Sequence, residues 1–152
     1  MNNSNWSLRQ GHRLLQLGML LFLFALFVGL AVPGFAVPRL GLSAHVLGIM
    51  QGIFLMVIGV LWPRLTLTRA MSRLACWLAV YGCFAAWTAN VLAGIWGAGN
   101  SMLPMAAGQA RGNALQEGMI AAGLITAALS LISAAIVILW GLRAVAGERS
   151  VK

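Results

Sequence analysis

The chain contains no aspartate, and glutamate occurs only at Glu117 and Glu148. No paired carboxylates are therefore available for hydrolysis of the kind two neighbouring acids perform. Charged residues of all types make up 8% of the sequence, against about a quarter in an ordinary soluble domain, which excludes a soluble globule. The two cysteines, Cys76 and Cys83, are seven positions apart on one predicted helix. At the helical rise they stand about 10 Å apart, too far for a disulfide, and they carry no redox information. Walker, GxSxG, HExxH and CxxC patterns are all missing. Gly97-Ala98-Gly99 is not a dinucleotide fingerprint, because Met102 stands at the third glycine and a helix precedes it.

Apolar sequence fills the space these absences leave. With 61% apolar residues, the chain divides into uncharged stretches at Leu14–Val32, Val46–Trp62, Leu74–Gly97 and Gly118–Leu142. A bilayer core about 30 Å thick needs roughly 20 helical residues, and all four runs approach or exceed that. Turn residues separate them: Pro33-Gly34 and Pro38, then Pro63, then a glycine-rich stretch holding Pro104. Asn113 with Gln116 three residues later has the form of a capping box opening the last helix, and Ser43 has the form of a cap for the second. These features predict an all-α membrane protein: one four-helix transmembrane domain over residues 1–152, with helices at about 12–32, 44–62, 72–97 and 114–143. There is no internal repeat.

The net charge of +8 does not form a nucleic-acid face, because the basic residues lie one to three at a time between apolar runs. Arg9, Arg13, Arg64, Arg69, Arg73, Arg143, Arg149 and Lys152 fall in the two tails and the second loop, leaving Arg39 and Arg111 for the other two. Positive-inside bias predicts cytoplasmic N- and C-termini in a multi-pass protein of the inner (plasma) membrane. The first apolar run is longer than the about 7 to 15 residues of a signal-peptide core, so it is read as a span.

Polar groups within spans are costly, which makes each a functional candidate. His45, Gln51, Asn90 and Glu117 share the outer half of the bilayer by this topology, a depth at which they could form a pocket beneath the 98–112 loop. His12 lies a membrane thickness away, about 30 Å. On a helical wheel Gly48, Gly52 and Gly59 fall within about 60° of His45. They describe either a side-chain-free groove for a flat group on the imidazole, haem being the obvious one, or a small-residue stripe for helix packing. His45 in the first turn of its helix would be held neutral by the helix dipole. Glu117 in the first turn of the last helix has a structural reading at the positive helix end. Thr126, Ser130 and Ser133 have the spacing of a packing stripe, and Trp62, Trp96 and Trp140 that of an interfacial belt. Trp87 and Asn90 share a face of helix three with Gly94 and Gly97, so Asn90 is expected to point inward beside an indole. Tyr81 lies on roughly the opposite face.

The run Val37-Pro38-Arg39-Leu40-Gly41-Leu42-Ser43-Ala44-His45, with Gly48, Gly52 and Trp62-Pro63-Arg64, resembles the hydroxylaminobenzene mutases. So do Trp87-Thr88-Ala89-Asn90, Ile95-Trp96-Gly97-Ala98-Gly99 and Gln116-Glu117-Gly118, and the likeness extends over all four helices. A more distant similarity connects these to the styrene oxide isomerases, whose Gly-His opening is matched by Gly11-His12. The resemblance implies an isomerase that converts hydroxylaminobenzene to 2-aminophenol. In the styrene oxide isomerases a ferric haem b, held by the helix-two histidine at a trimer interface, acts as a Lewis acid on the epoxide oxygen. The matching position is His45, and a helix-three asparagine near that haem is matched by Asn90. Gln51 stands where the isomerases have asparagine, and Ala86 and Gly94 replace an aspartate and a tyrosine, so the surroundings of the reacting group differ.

The resulting expectation is a homotrimer with haem b (Fe3+) on His45 between subunits and with Gly48, Gly52 and Trp87 around it. Asn90 and Gln51 would orient a small aromatic hydroxylamine, Trp87 would stack on its ring, and Glu117 is a candidate for proton transfer. The alternatives are a haem subunit for electron transfer, which needs a second histidine that His12 cannot supply, and a small four-helix transporter, which needs an acidic residue that Leu14–Val32 lacks.

Overall fold

A computed structural model describes residues 3–147, and the side chains of residues 6–143. Five α-helices succeed one another: α1 (Asn3–Ala31), α2 (Pro38–Leu61), α3 (Arg69–Trp96), the single turn α4 (Pro104–Ala107) and α5 (Ala114–Gly147). No strand occurs among the described residues. The four long helices are apolar and long enough to cross a membrane.

Helix starts and stops follow local chemistry. Pro38 opens α2 from its first position, where a missing N–H costs nothing and the fixed φ is already helical. Proline here begins the helix rather than extending the loop, so α2 starts six residues ahead of the expected position 44. Ser43 is consequently not a cap, and His45 sits in the second helical turn, beyond the reach of the first-turn dipole effect expected for it. Thr68 caps α3 by accepting a hydrogen bond from the Met71 amide at 3.3 Å. Gly97 ends α3 in the left-handed conformation at φ 62°, which glycine adopts without a Cβ penalty. Asn113 and Gln116 form the expected capping box, each side chain accepting the other's backbone N–H at 2.9 Å.

α1 and α2 are antiparallel and in backbone contact. A Cβ on Gly11 would stand 2.6 Å from the Gly59 carbonyl oxygen, and one on Gly18 2.7 Å from that of Gly52. The seam repeats every seven residues, Gly11-Gly18-Ala25 against Gly59-Gly52-His45, a spacing that returns to within about 20° of the same helix face. α3 pairs with α5 through Gly82, where a Cβ would meet the Leu131 side chain, and through Ser130, whose hydroxyl donates to the Leu78 carbonyl at 3.0 Å. α2 and α3 join the two pairs, while α1 and α5 make at most marginal contact. The helices thus form an open row, α1-α2-α3-α5, rather than a closed bundle.

Two expectations about the surface change here. Trp62 is 1% exposed and lies in the core rather than in an interfacial belt. Its indole N–H donates to Gln10 Oε1 at 2.9 Å, and that oxygen also accepts from the Ser72 hydroxyl at 2.9 Å. Trp140, 65% exposed, fits the belt reading. In the Thr126-Ser130-Ser133 stripe, Thr126 pairs with Tyr81 and Ser130 with α3, whereas the Ser133 hydroxyl bonds only to Leu129 of its own helix.

Candidate functional site

His45 occupies the last place in the α1–α2 seam, where glycine fills the two preceding heptad positions. Room for its ring comes from the opposite helix: a Cβ on Gly29 would stand 2.5 Å from His45 Nδ1 and 2.6 Å from Cε1. In that slot Nδ1 lies 2.7 Å from the Ala25 carbonyl oxygen. A carbonyl can only accept, so Nδ1 carries the proton, and in the neutral ring Nε2 keeps its lone pair. The imidazole borders a shallow groove of about 490 Å³ lined by Leu26, Gly29, Leu30, Val32, Pro33, Leu42 and His45.

This arrangement would suit a haem ligated through Nε2. A free ring nitrogen, locked in its ligating tautomer by a backbone carbonyl, is the usual form of a haem or metal histidine. The apolar groove supplies a wall beside the ring. Among the described residues no group of three His, Cys, Asp or Glu side chains could hold a bare metal ion.

The glycines beneath His45 are occupied differently from the open groove drawn on the helical wheel. A Cβ on Gly52 would stand 2.8 Å from the Gly18 carbonyl oxygen and 2.9 Å from the Phe22 nitrogen, so α1 fills that space. Gly48 receives the Trp87 indole, with Cδ1 at 2.6 Å and Nε1 at 2.7 Å from a notional Cβ. Both are packing glycines in this chain. Trp87 in turn stacks on Phe24, with centroids 6.0 Å apart and planes inclined by 17°. Trp87 therefore lies within a turn of the histidine, but wedged between helices.

Nor do His45, Gln51, Asn90 and Glu117 converge on one pocket under the loop, because equal depth does not fix the side of the helix a residue occupies. Asn90 is buried and points inward as expected. Its amide donates to the Ala86 carbonyl at 3.0 Å, and its Oδ1 accepts from the Ser43 hydroxyl at 3.4 Å. Ser43 is two residues from His45, about 200° around α2, so Asn90 faces away from the imidazole. Glu117 binds the 98–112 loop. Oε1 accepts from the amides of Gly99 (2.8 Å), Gly112 (3.1 Å) and Asn100 (3.3 Å), and Oε2 from the Ser101 hydroxyl (2.9 Å) and amide (3.2 Å). With its acceptor positions used by the loop, the carboxylate has a structural role. Gln51 is different: it is 8% exposed, and its Oε1 has no partner among the described residues. Trp87 Nε1 is likewise buried and unpaired. One is an acceptor, the other a donor, and both are on the α2–α3 side.

Gly29 and Ala25 were not among the expected site residues. Their signal is periodic: Gly11, Gly18 and Ala25 recur every seven residues, and Gly29 lies one turn beyond Ala25.

The sequence profile described as styrene oxide isomerase matches residues 10–143. Hydroxylaminobenzene mutase HabB of Ectopseudomonas oleovorans is 47% identical over 138 residues, covering 91% of this chain and 84% of the relative. Hydroxylaminobenzene mutase HabA of the same organism is 38% identical over 125 residues, 82% of this chain and 93% of the relative. No solved structure matches the chain. A profile match over residues 10–143, from the first turns of α1 almost to the end of α5, joined by relatives of this identity and coverage, places the chain in the styrene oxide isomerase family.

Proposed function

We propose that this chain is a membrane isomerase that converts hydroxylaminobenzene to 2-aminophenol, working with haem b ligated by His45 at the contact between subunits of a homotrimer. The observation that carries the site is the Nδ1–Ala25 bond, which leaves Nε2 free on an apolar groove. The substrate and the mutase reaction class come from the two relatives, whose names give both and whose likeness covers most of the chain, and 2-aminophenol is the product that the family resemblance implies. Both termini are assigned to the cytoplasm of the plasma membrane, in keeping with the charge split.

Substrate and product are isomers, so no oxidant, reductant or net water enters the balance: the N–O bond and an ortho C–H bond break, a C–O bond forms at that carbon, and the proton it loses is balanced by one gained at nitrogen. A ferric haem held by His45 would supply Lewis acidity to the substrate oxygen. Leu26, Leu30, Pro33 and Leu42 form an apolar wall beside His45, suited to a porphyrin face and to an aromatic substrate arriving from lipid. Gln51 Oε1, an acceptor, and Trp87 Nε1, a donor, have no partner among the described residues and are candidates to hold polar groups of the substrate, although neither lines the groove at His45. Asn90 positions Ser43 and α2. Glu117 holds the loop above.

The test is oxygen-isotope labelling together with an absorption spectrum. Turnover in heavy-oxygen water should give unlabelled 2-aminophenol from a protein with a Soret band. Full solvent label would mean that free water attacks the ring, and a colourless, haem-free, active protein would remove the cofactor from the proposal.

A further inference from the structure

At the end of the molecule opposite His45, where α1 begins, a second concavity of about 400 Å³ opens between α1 and α3. Arg9 and Arg13 from successive turns of α1 and Arg73 from α3 line it, together with Trp6, Trp77 and Cys76. Leu17 and Val80 continue it along the apolar flanks of the two helices. Nothing in the haem proposal uses this groove.

Three guanidinium groups facing one cavity repel each other unless an anion lies among them. Among the described residues no carboxylate faces the groove: Glu117, the one acidic side chain described, is bound to the loop at the other end of the helices. The flank is apolar and continues into the span, and Trp77 is 69% exposed, as an indole at a headgroup boundary would be. Cationic head and apolar tail thus follow one another along the helix axis, the order of a phospholipid in its leaflet.

We propose that the α1–α3 groove is a binding site for an anionic phospholipid, with its phosphate held by Arg9, Arg13 and Arg73 and its acyl chains along Leu17, Val80 and Trp77. Arginine suits this role because its planar fork of donors can grip two phosphate oxygens at once.

The full-length protein is placed in nanodiscs of equal phosphatidylglycerol and phosphatidylcholine, and the lipid retained after release into detergent is counted by native mass spectrometry. The wild type should retain phosphatidylglycerol in preference, and selectivity should fall about fivefold for each arginine replaced in the series Arg13→Gln, Arg73→Gln and the triple variant with Arg9→Gln. The pair Arg64→Gln/Arg143→Gln, which removes two charges outside the groove, should keep it. Phosphatidylglycerol should also slow alkylation of Cys76, the half-buried thiol in the groove wall. Equal retention of the two lipids by the wild type would overturn the proposal. So would an equal loss of selectivity in the Arg64/Arg143 pair, which would mean general surface potential. Displacement of the lipid by millimolar inorganic phosphate would show a phosphate site rather than a lipid site.

Discussion

His45 and Gly29 face each other across the α1–α2 seam so closely that any side chain at 29 would occupy the imidazole's place: a Cβ there would stand 2.5 Å from Nδ1. The absence of a methyl group on α1 thus lets the ring reach the Ala25 carbonyl and fixes which nitrogen remains free. Gly29→Ala should displace the ring while leaving the glycine contacts Gly11–Gly59 and Gly18–Gly52 in place. Misplacement of a reacting group by about 1 Å costs on the order of 10²-fold in rate. The variant should lose activity on that scale, with a weakened Soret band and an unchanged oligomer by size exclusion. Wild-type turnover in Gly29→Ala would show that the ring tolerates the shift.

His45→Ala should abolish haem binding and activity but leave the helices inserted, because the change removes no apolar span. Added imidazole should partly restore the Soret band and turnover by occupying the vacated space. A haem-replete His45→Ala protein would end the assignment of this residue as ligand.

Gly52→Leu should fail in the opposite manner. Its side chain has only the Gly18 carbonyl and the Phe22 backbone to enter, so α1 and α2 must separate. Aggregation, or loss of a discrete oligomer in detergent, is expected. A well-assembled Gly52→Leu protein would contradict the backbone contact described for the seam.

Glu117→Gln keeps the shape of the side chain but withdraws the charge from five donors. Losing these charge-assisted bonds should cost about 1–3 kcal/mol and lower the melting temperature. Activity per folded molecule should stay near wild type, because the carboxylate serves the loop. A large fall in kcat with an unchanged melting curve would assign Glu117 to the chemistry instead.

Gln51→Leu separates stability from function. Leucine removes a buried, unpaired oxygen whose isolation costs about 1–3 kcal/mol, so the variant should be at least as stable as wild type. If the oxygen orients the substrate, turnover should nevertheless fall. Unchanged kcat and KM would release Gln51 from that role.

The four spans, the breaks between them and the Asn113–Gln116 cap were legible in the sequence, because run length and turn chemistry are local properties. So was the inward placement of Asn90, carried by a run of small and polar residues on one face of α3. The partners of each face were not legible. A helix that is apolar all round has no stripe to mark which side meets another helix and which meets lipid. The wheel could place Gly48 and Gly52 near His45, but only assembly filled one with the Trp87 indole and the other with the α1 backbone. Trp62 and Glu117 were read from their positions near helix ends. Their roles were set by Gln10 and Ser72 in one case and by the loop amides in the other, which are distant in sequence or brought near only by folding. By itself, then, the sequence determined an all-helical chain with four spans and a histidine on the second, since apolar run length alone decides what can cross a bilayer. The tertiary structure decided that this histidine lies in a glycine seam with Nδ1 bonded and Nε2 free, because that depends on how closely two backbones approach.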